Sequence, residues 1–333
     1  MKPAAILGWT GNGSLEDLAA TSLRKLQADG ADITTAAKSL VVRGRDPVAV
    51  ARRLEYLPGV SWIAVGYEFG TSQECLARLA LLASRYLDSG SSFRVGVEAA
   101  NGARREGDLL MEATSTILKS VKGARVDEKG PAAQFRITEA GSRGACGVQL
   151  REGAGGAPTS KETTAHCLVS GGYHSAVTAW MAALSGFSLT LVHARDDDES
   201  LRQVARLYAE LSRRMDASSL ELNVLEGEGS PGDRVAAWLR GAKGEVFAGV
   251  HFGCRGATRA RSLRRFPKVL FPLLLLQEAE IRSRLVSLGI REKASDRVAT
   301  LSFSRRGAAF RVKRFGGREA DQNSVLDSIL AQP

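Results

Sequence analysis

The order of apolar and polar positions in the first 67 residues predicts three strands and two helices. Short apolar runs predict strands at 4–7, 39–43 and 60–65. Helical spacing runs from Ser14, a favoured N-cap residue, to about residue 29. A second helix opens at Asp46-Pro47, with proline in its first turn, and extends to about residue 55. The order β-α-β-α-β suggests a ferredoxin-like element.

Residues 70–150 continue with longer helices and with alternating strands. Helical spacing occurs at 73–86 and 105–121, and a period of two occurs at 92–98. Shorter strands are predicted at 125–126, 134–138 and 146–150. The run Gly-Ala-Gly-Gly-Ala-Pro-Thr at 153–159 then interrupts both periodicities. It is therefore the strongest candidate for a domain boundary.

Apolar strands and amphipathic helices alternate between residues 163 and 290. The predicted strands are 165–169, 188–193, 220–224 and 245–250, and the predicted helices are 176–184, 198–213, 232–239 and 277–288. This alternation predicts an α/β fold with a doubly wound parallel sheet. A β-hairpin at 297–314 and a tail helix at 324–330 are predicted to follow.

Composition narrows the class of protein. The chain has 333 residues, 44% of them hydrophobic and 25% charged, which is typical of a globular protein. Its apolar runs are too short to cross a bilayer, and its first residues lack the apolar core of a signal peptide. The four cysteines are widely spaced and form no CxxC pair, so we expect neither a zinc site nor a disulfide framework. A cytoplasmic protein with no membrane partner is the prediction.

The positive charge is concentrated in one segment. The whole chain carries a net charge of +10, whereas residues 251–318 alone carry 17 lysines and arginines against 4 acidic residues, or +13. A polyanion, with RNA as the leading candidate, is the functional interpretation. An arginine-rich solvated surface is the alternative.

The segment Ser170-Gly171-Gly172-Tyr173-His174-Ser175 carries the clearest chemical signal. It follows an apolar strand and precedes helical spacing. In that order, backbone N–H groups and the helix dipole point at a phosphate, and glycine lets the phosphate approach closely. Ligands of parallel sheets bind beyond the carboxyl ends of the strands, so His193 and Gly249 are expected around the same crevice.

Cysteine and histidine positions leave further alternatives open. Cys254 stands beside Arg255, which favours a thiolate able to carry a persulfide, but a small buried apolar residue is the competing interpretation. Cys167 lies in a predicted buried strand and is expected in the core. Three histidines, His174, His193 and His251, are expected near one crevice, but their spacing matches no metal signature, so no metal site is predicted.

Several of these features occur together in one family. Ser170–Ser175 resembles the PP-loop, Ser-Gly-Gly-x-Asp-Ser, of enzymes that adenylate a substrate and release pyrophosphate. Residues 153–158 resemble a Gly-Pro-Gly-Gly-Leu-Pro linker, and Lys268–Leu273 resembles a late Pro-Val-Leu-Arg-Pro-Leu segment. Phe93-Arg94-Val95, followed by Arg104-Arg105, resembles the first strand of a THUMP domain. The order and spacing of these motifs are similar to those of the tRNA 4-thiouridine synthetase (tRNA sulfurtransferase) family over residues 1–295.

The resemblance implies a domain layout, ligands and site residues. The layout is a ferredoxin-like domain at 1–69, a THUMP RNA-binding domain at 70–158, a PP-loop domain at 159–295, and a hairpin and tail at 296–333. ATP and Mg²⁺ would be held by residues 170–175 (Ser170, Gly171, Gly172, Tyr173, His174 and Ser175), with His193 and Gly249. The tRNA would meet basic residues, namely Arg94, Arg104, Arg105, Arg259, Arg261, Arg264, Arg265, Lys268, Arg305 and Arg306. A sulfur-donor protein is an implied partner, and a homodimer stays open.

Three positions depart from the family pattern. His174 stands where the PP-loop has Asp, Val250 stands where a Thr-Gly-Glu-Ser segment has its acidic residue, and no cysteine follows Cys254. A neutral imidazole is a poor Mg²⁺ ligand, whereas a protonated one can pair with a phosphate. Two hypotheses follow. The first is ATP-dependent thiolation of a tRNA uridine, with His174 and Cys254 as catalytic residues. The second is a catalytically degenerate PP-loop homologue that binds tRNA or acts as a scaffold.

Overall fold

The protein has a mixed α/β fold with one eight-stranded and one six-stranded sheet. The computed structural model describes residues 2–26, 31–100, 103–141, 143–250, 263, 266, 268–287 and 310–316, with the backbone alone at positions 103, 104, 217, 287, 310 and 316. The chain divides into two compact units, Met1–Pro158 and Thr159–Pro333. None of the described helices is long and apolar enough to cross a membrane.

The described part of the N-terminal unit contains four α-helices and eight strands. In chain order they are β1 (Pro3–Trp9), α1 (Leu15–Leu26), β2 (Asp32–Ala36), β3 (Ser39–Arg43), α2 (Pro47–Leu54), β4 (Val60–Phe69), α3 (Ser72–Tyr86), β5 (Ser92–Ala99), α4 (Ala103–Ser120), β6 (Arg125–Val126), β7 (Ala133–Ala140) and β8 (Arg143–Glu152). The predicted caps are confirmed. The Ser14 hydroxyl accepts the Asp17 N–H at 3.2 Å, and the Asp46 side chain accepts two N–H groups at the start of α2.

One strand of this unit was missing from the sequence prediction. Strand β2 pairs antiparallel with β3, and the first four strands lie in the order β2-β3-β1-β4. Three of its five residues are exposed, so it lacks the apolar run that marks a buried strand. With β2 included, the order is β-α-β-β-α-β, which is the order of a ferredoxin-like element.

The eight-stranded sheet continues from β4 through β8, β7 and β5 to β6. Three of the buried apolar clusters pack on this sheet. Their members include Leu7, Leu18 and Ile63 in one, Leu79, Phe93 and Phe135 in another, and Ile6, Val41 and Trp62 in a third. The Thr138 hydroxyl on β7 donates a buried hydrogen bond of 2.6 Å to the Ala36 carbonyl at the end of β2. The sheet therefore curls enough for β2 to reach β7, although four strands separate them in the sheet order.

The C-terminal unit alternates strands with helices. In chain order its elements are β9 (Ala157–Leu168), α5 (Tyr173–Leu184), β10 (Ser185–Ala194), α6 (Asp198–Arg214), β11 (Leu220–Gly227), α7 (Pro231–Gly241), β12 (Glu245–Ala248), β13 (Val269–Leu270), α8 (Glu278–Ser287) and β14 (Phe310–Gly316). The sheet order is β13-β12-β9-β10-β11-β14. Three neighbouring pairs, β12–β13, β9–β12 and β10–β11, are parallel, as predicted.

Strand β14 pairs antiparallel with β11 and so belongs to the six-stranded sheet. The rest of the predicted hairpin, residues 297–309, and the predicted tail helix at 324–330 lie outside the described residues. The limits of the four predicted domains and the doubly wound arrangement of the helices stay predictions.

Candidate nucleotide site and basic surfaces

The loop between β9 and α5 is shaped by Gly171. Its φ of +85° lies in the left-handed region, and a Cβ at this position would stand 2.6 Å from Cβ of Gln203 on α6. Gly172, by contrast, is the N-cap of α5 with an ordinary φ of −75°. The requirement for glycine therefore falls on Gly171, where both backbone conformation and space exclude a side chain.

Two serines close this loop onto the first turn of α5. The Ser170 N–H donates to Oγ of Ser175 at 3.1 Å, and the two hydroxyl oxygens lie 3.2 Å apart. No side chain caps α5 at Gly172. A tight turn that leads directly into a twelve-residue helix places the positive end of the helix dipole at the loop, which suits a phosphate.

The side chains of Tyr173 and His174 contact a carboxylate that sequence reasoning did not assign to the site. Glu278, the first residue of α8, accepts a short hydrogen bond from the Tyr173 hydroxyl. Its other oxygen lies 3.4 Å from Nε2 of His174. Arg282 donates to the same carboxylate at 3.2 Å. Burial raises the pKa of Glu278, but the Tyr173 hydroxyl, His174 and Arg282 outweigh burial, and the pKa lies below its usual value.

His193 lies at the carboxyl end of β10 and is 2% exposed. Its Nδ1 is 3.0 Å from the Val169 carbonyl, just before the loop, and its Nε2 is 3.4 Å from the Ser200 hydroxyl on α6. Burial lowers the pKa of His193 to about 4; the Val169 carbonyl opposes this shift, and the charge of Arg234 adds to it. The imidazole is therefore neutral at pH 7, and it contacts the backbone at Val169, just before the loop.

Gly249 and Val250 follow the carboxyl end of β12. A Cβ at Gly249 would stand 2.7 Å from the His174 carbonyl oxygen, so this glycine lets β12 approach the loop closely. Val250 is buried within an apolar cluster. The structure thus brings His193 and Gly249 to the Ser170–Ser175 loop, as expected for the carboxyl edge of the sheet. Cys254 and His251 lie outside the described residues.

The groups at the loop fit a phosphate better than a divalent cation. Mg²⁺ prefers carboxylate and water oxygens, and the carboxylate at this loop, Glu278, already contacts Tyr173, His174 and Arg282. Within the described ranges, no cluster of three or more His, Cys, Asp or Glu side chains could hold a metal ion. Cys167 is fully buried, and burial raises the pKa of its thiol, as expected for a core residue.

Two of the arginines predicted to bind RNA are engaged in internal contacts. Arg105 donates two hydrogen bonds of 2.9 Å to Glu139, which is 1% exposed, and a third to Ser72. Arg94 donates to Gln134 at 2.7 Å and to the Glu128 carbonyl at 3.3 Å. Lys268 is exposed just before β13. The structure gives no side chain for Arg104, and the other predicted RNA contacts, Arg259, Arg261, Arg264, Arg265, Arg305 and Arg306, lie outside the described residues.

A basic cavity in the N-terminal unit was not anticipated from the sequence. Its volume is about 640 Å³, and four of its lining residues are cationic, namely Lys2, Arg43, Arg78 and Arg143. Glu68 and Glu74 also line it; Arg43 contacts Glu68, and Arg78 lies 3.5 Å from Glu74. Lys2 and Arg143 are exposed at its surface. These residues are separated by up to 141 positions, so only the fold assembles them, and no local motif marks them.

Comparisons with known proteins find likeness in sequence and in fold. No family model matches the chain. A protein described as a probable tRNA sulfurtransferase from Bacillus licheniformis is 24% identical over 182 residues. The match covers 54% of this chain but only 45% of that protein, so the chain spans about half the length of this curated relative.

Two solved structures share the fold. PH1313 from Pyrococcus horikoshii Ot3 superposes with a TM-score of 0.64 at 19% identity, over 87% of this chain and all of that one. A 4-thiouridine synthetase in complex with RNA and bound ATP also gives a TM-score of 0.64, at 15% identity, over 100% of this chain and 95% of that one. At these identities the likeness shows a shared fold. The mixed α/β fold is therefore shared with these two structures, and the domain layout expected from the resemblance stays a prediction.

Proposed function

We propose that this chain binds tRNA, holds adenine nucleotide at the Ser170–Ser175 loop, and takes part in tRNA modification of the thiouridine type. The observation that carries the proposal is the left-handed Gly171 between β9 and α5, which shapes a tight turn at a helix N-terminus. The likeness to a 4-thiouridine synthetase that holds RNA and ATP supports the same assignment.

The tRNA surface in this proposal has two parts. One is the segment 251–318, with its net charge of +13. The other is the basic cavity of the N-terminal unit, where the exposed Lys2 and Arg143 replace Arg94 and Arg105 as candidate phosphate contacts. Cations of this kind contribute affinity rather than sequence choice, because phosphates are the same in every tRNA.

A second candidate function is a degenerate homologue that binds tRNA without adenylating it. The contact between His174 and Glu278 favours this candidate, since the loop presents an imidazole beside a carboxylate that is already engaged. In the first candidate a sulfur-donor protein supplies the sulfur that replaces the adenylated uridine carbonyl oxygen, which leaves with AMP. In the second candidate no donor is needed.

The test of tRNA binding is a salt titration of the full chain with bulk tRNA. We expect sub-micromolar to micromolar affinity, with a slope of log K against log salt of about −0.7 to −0.9 per phosphate contact. Arg143→Glu should weaken binding to all tRNAs alike, whereas Arg125→Glu, an exposed arginine of the same unit on β6, should not. A slope near zero would refute the RNA partner.

Nucleotide binding and turnover are measured separately. Isothermal titration with ATP, with and without tRNA, tests the loop. Exchange of labelled pyrophosphate into ATP then separates the two candidates, because an adenylating enzyme exchanges it and a scaffold does not. Absence of ATP binding under every condition would remove the nucleotide from the proposal and leave the RNA part standing.

A further inference from the structure

The contact between α8 and the first turn of α5 is made by one carboxylate and two consecutive side chains. Glu278 accepts from the Tyr173 hydroxyl on one oxygen and lies 3.4 Å from Nε2 of His174 on the other. The Tyr173 and His174 rings stack with their centroids 4.1 Å apart at 30°. The two helices are thus joined through the two residues that follow the glycine turn.

The side chains of His174 and Glu278 differ in exposure. The His174 side chain is 14% exposed, whereas Glu278 is 38% exposed. Arg282, one turn further along α8, contacts the same carboxylate and lies 5.7 Å from the centre of the Tyr173 ring. Glu278 and Tyr173 contact His174 directly, and Arg282 contacts Glu278.

We propose that Glu278 is a positioning residue of the nucleotide loop and that residues 174 and 278 act as one charge pair. The proposal rests on the function proposed above. It follows that the carboxylate of a PP-loop cannot be restored at position 174 alone. An aspartate there would meet the Glu278 carboxylate in place of an imidazole, and two carboxylates in contact disfavour one another's charge.

The experiment is a charge-swap cycle in the full chain. His174→Asp leaves two carboxylates at the contact, and Glu278→Lys replaces the carboxylate beside the imidazole with an ammonium group. The double variant His174→Asp/Glu278→Lys restores opposite charges. Arg282 is 47% exposed and can turn towards solvent when a lysine takes position 278. Glu280→Lys is the matched control, because Glu280 lies on the same helix and pairs with the exposed Arg284 at 3.3 Å.

We expect each single variant to weaken ATP binding by about tenfold, the order of effect of one lost or like-charge contact. The double variant should recover to within about twofold of the wild type, as pair energies in contact are not additive. Glu280→Lys should stay within about twofold. Additive losses in the double variant, or tighter ATP binding by His174→Asp alone, would overturn the proposal.

Melting temperature is the second readout, and it tests the contact between residues 174 and 278 without nucleotide. If the wild type binds no ATP, the nucleotide proposal fails. The melting temperatures then test the pair, which requires a loss in both single variants and recovery in the double variant.

If the charge reversals do not fold, Glu278→Gln keeps the shape of the side chain and removes its charge. It should move the NMR titration of the His174 imidazole to lower pH, and Glu280→Gln should not; equal titrations would refute the pair.

Discussion

The two units bury a titratable side chain against a helix in opposite ways. In the N-terminal unit, Glu139 is 1% exposed and accepts two hydrogen bonds of 2.9 Å from Arg105 on α4. In the C-terminal unit, His193 is 2% exposed and lies against neutral groups, the Val169 carbonyl and the Ser200 hydroxyl. At the first site the buried carboxylate is paired with a guanidinium, and at the second site the buried imidazole is itself uncharged at neutral pH.

The difference shows whether a mutation or a change of pH destabilises each site more. A buried carboxylate is tolerable while its guanidinium partner is present, and removal of that partner leaves an uncompensated charge. A buried neutral imidazole needs hydrogen-bonding neighbours but no charged partner at neutral pH. In acid the unfolded state accepts a proton on this histidine more easily than the folded state does, so stability falls. The N-terminal site is therefore sensitive to mutation, and the C-terminal site is sensitive to pH.

The largest effect is expected from Arg105→Ala. The variant leaves the buried Glu139 carboxylate without its guanidinium. Because the Arg105 side chain itself is 31% exposed, we expect the free energy of unfolding to fall by about 3 kcal/mol, the low end for a buried pair. Urea unfolding, followed by a signal from the N-terminal unit, measures the loss. Gln at position 139 together with Ala at 105 should recover much of it, because the buried charge is then gone.

The control for this prediction is Arg213→Ala. Arg213 pairs with Glu210 at a similar distance, 2.7 Å, but its side chain is 53% exposed. Exposed pairs of this type contribute about 0.5 kcal/mol or less. If Arg105→Ala cost no more than Arg213→Ala, Glu139 would not depend on its partner, and an RNA-facing role for Arg105 would return.

Features fixed by neighbouring residues could be predicted from the sequence, and features fixed by the fold could not. The caps at Ser14 and Asp46 were predicted because a cap acts within three residues. Strand β2 was missed because its residues Thr34 and Thr35 are exposed. Glu278 was not assigned to the site because it reaches Tyr173 across 105 positions of sequence.

The second effect in size is the pH dependence contributed by His193. Its folded-state pKa of about 4 lies below the unfolded value of 6.5, so the unfolded state binds more protons between these pH values. The contribution to stability is therefore complete above pH 6.5 and is lost as the pH falls towards 4. The shift corresponds to roughly 3 kcal/mol at most, at 1.36 kcal/mol per pH unit.

His193→Asn isolates this contribution from the carboxylates that titrate in the same range. The asparagine amide can donate to the Val169 carbonyl as the imidazole Nδ1 does, but it takes up no proton. The free energy of unfolding of the variant should therefore fall less steeply than that of the wild type between pH 6.5 and 4. Parallel curves would mean that His193 is as readily protonated in the folded protein as in the unfolded one.

The smallest of the three effects concerns Gly171, which packs against the same helix, α6, that carries Ser200. Gly171→Ala places a methyl group 2.6 Å from Cβ of Gln203 and forces alanine into the left-handed region, at a cost of about 2 kcal/mol. Gly172→Ala, at a φ of −75°, should cost far less, although both glycines belong to the motif. Thermal unfolding and ATP titration of both variants measure the difference. Equal losses would mean that the ligand, rather than the backbone, demands glycine at both positions. A loss confined to Gly171→Ala would show that the close approach of α6 requires glycine at this position. Helix α6 would then fix the loop by close packing at Gly171 as well as through the contact between Ser200 and His193, and both contacts are uncharged.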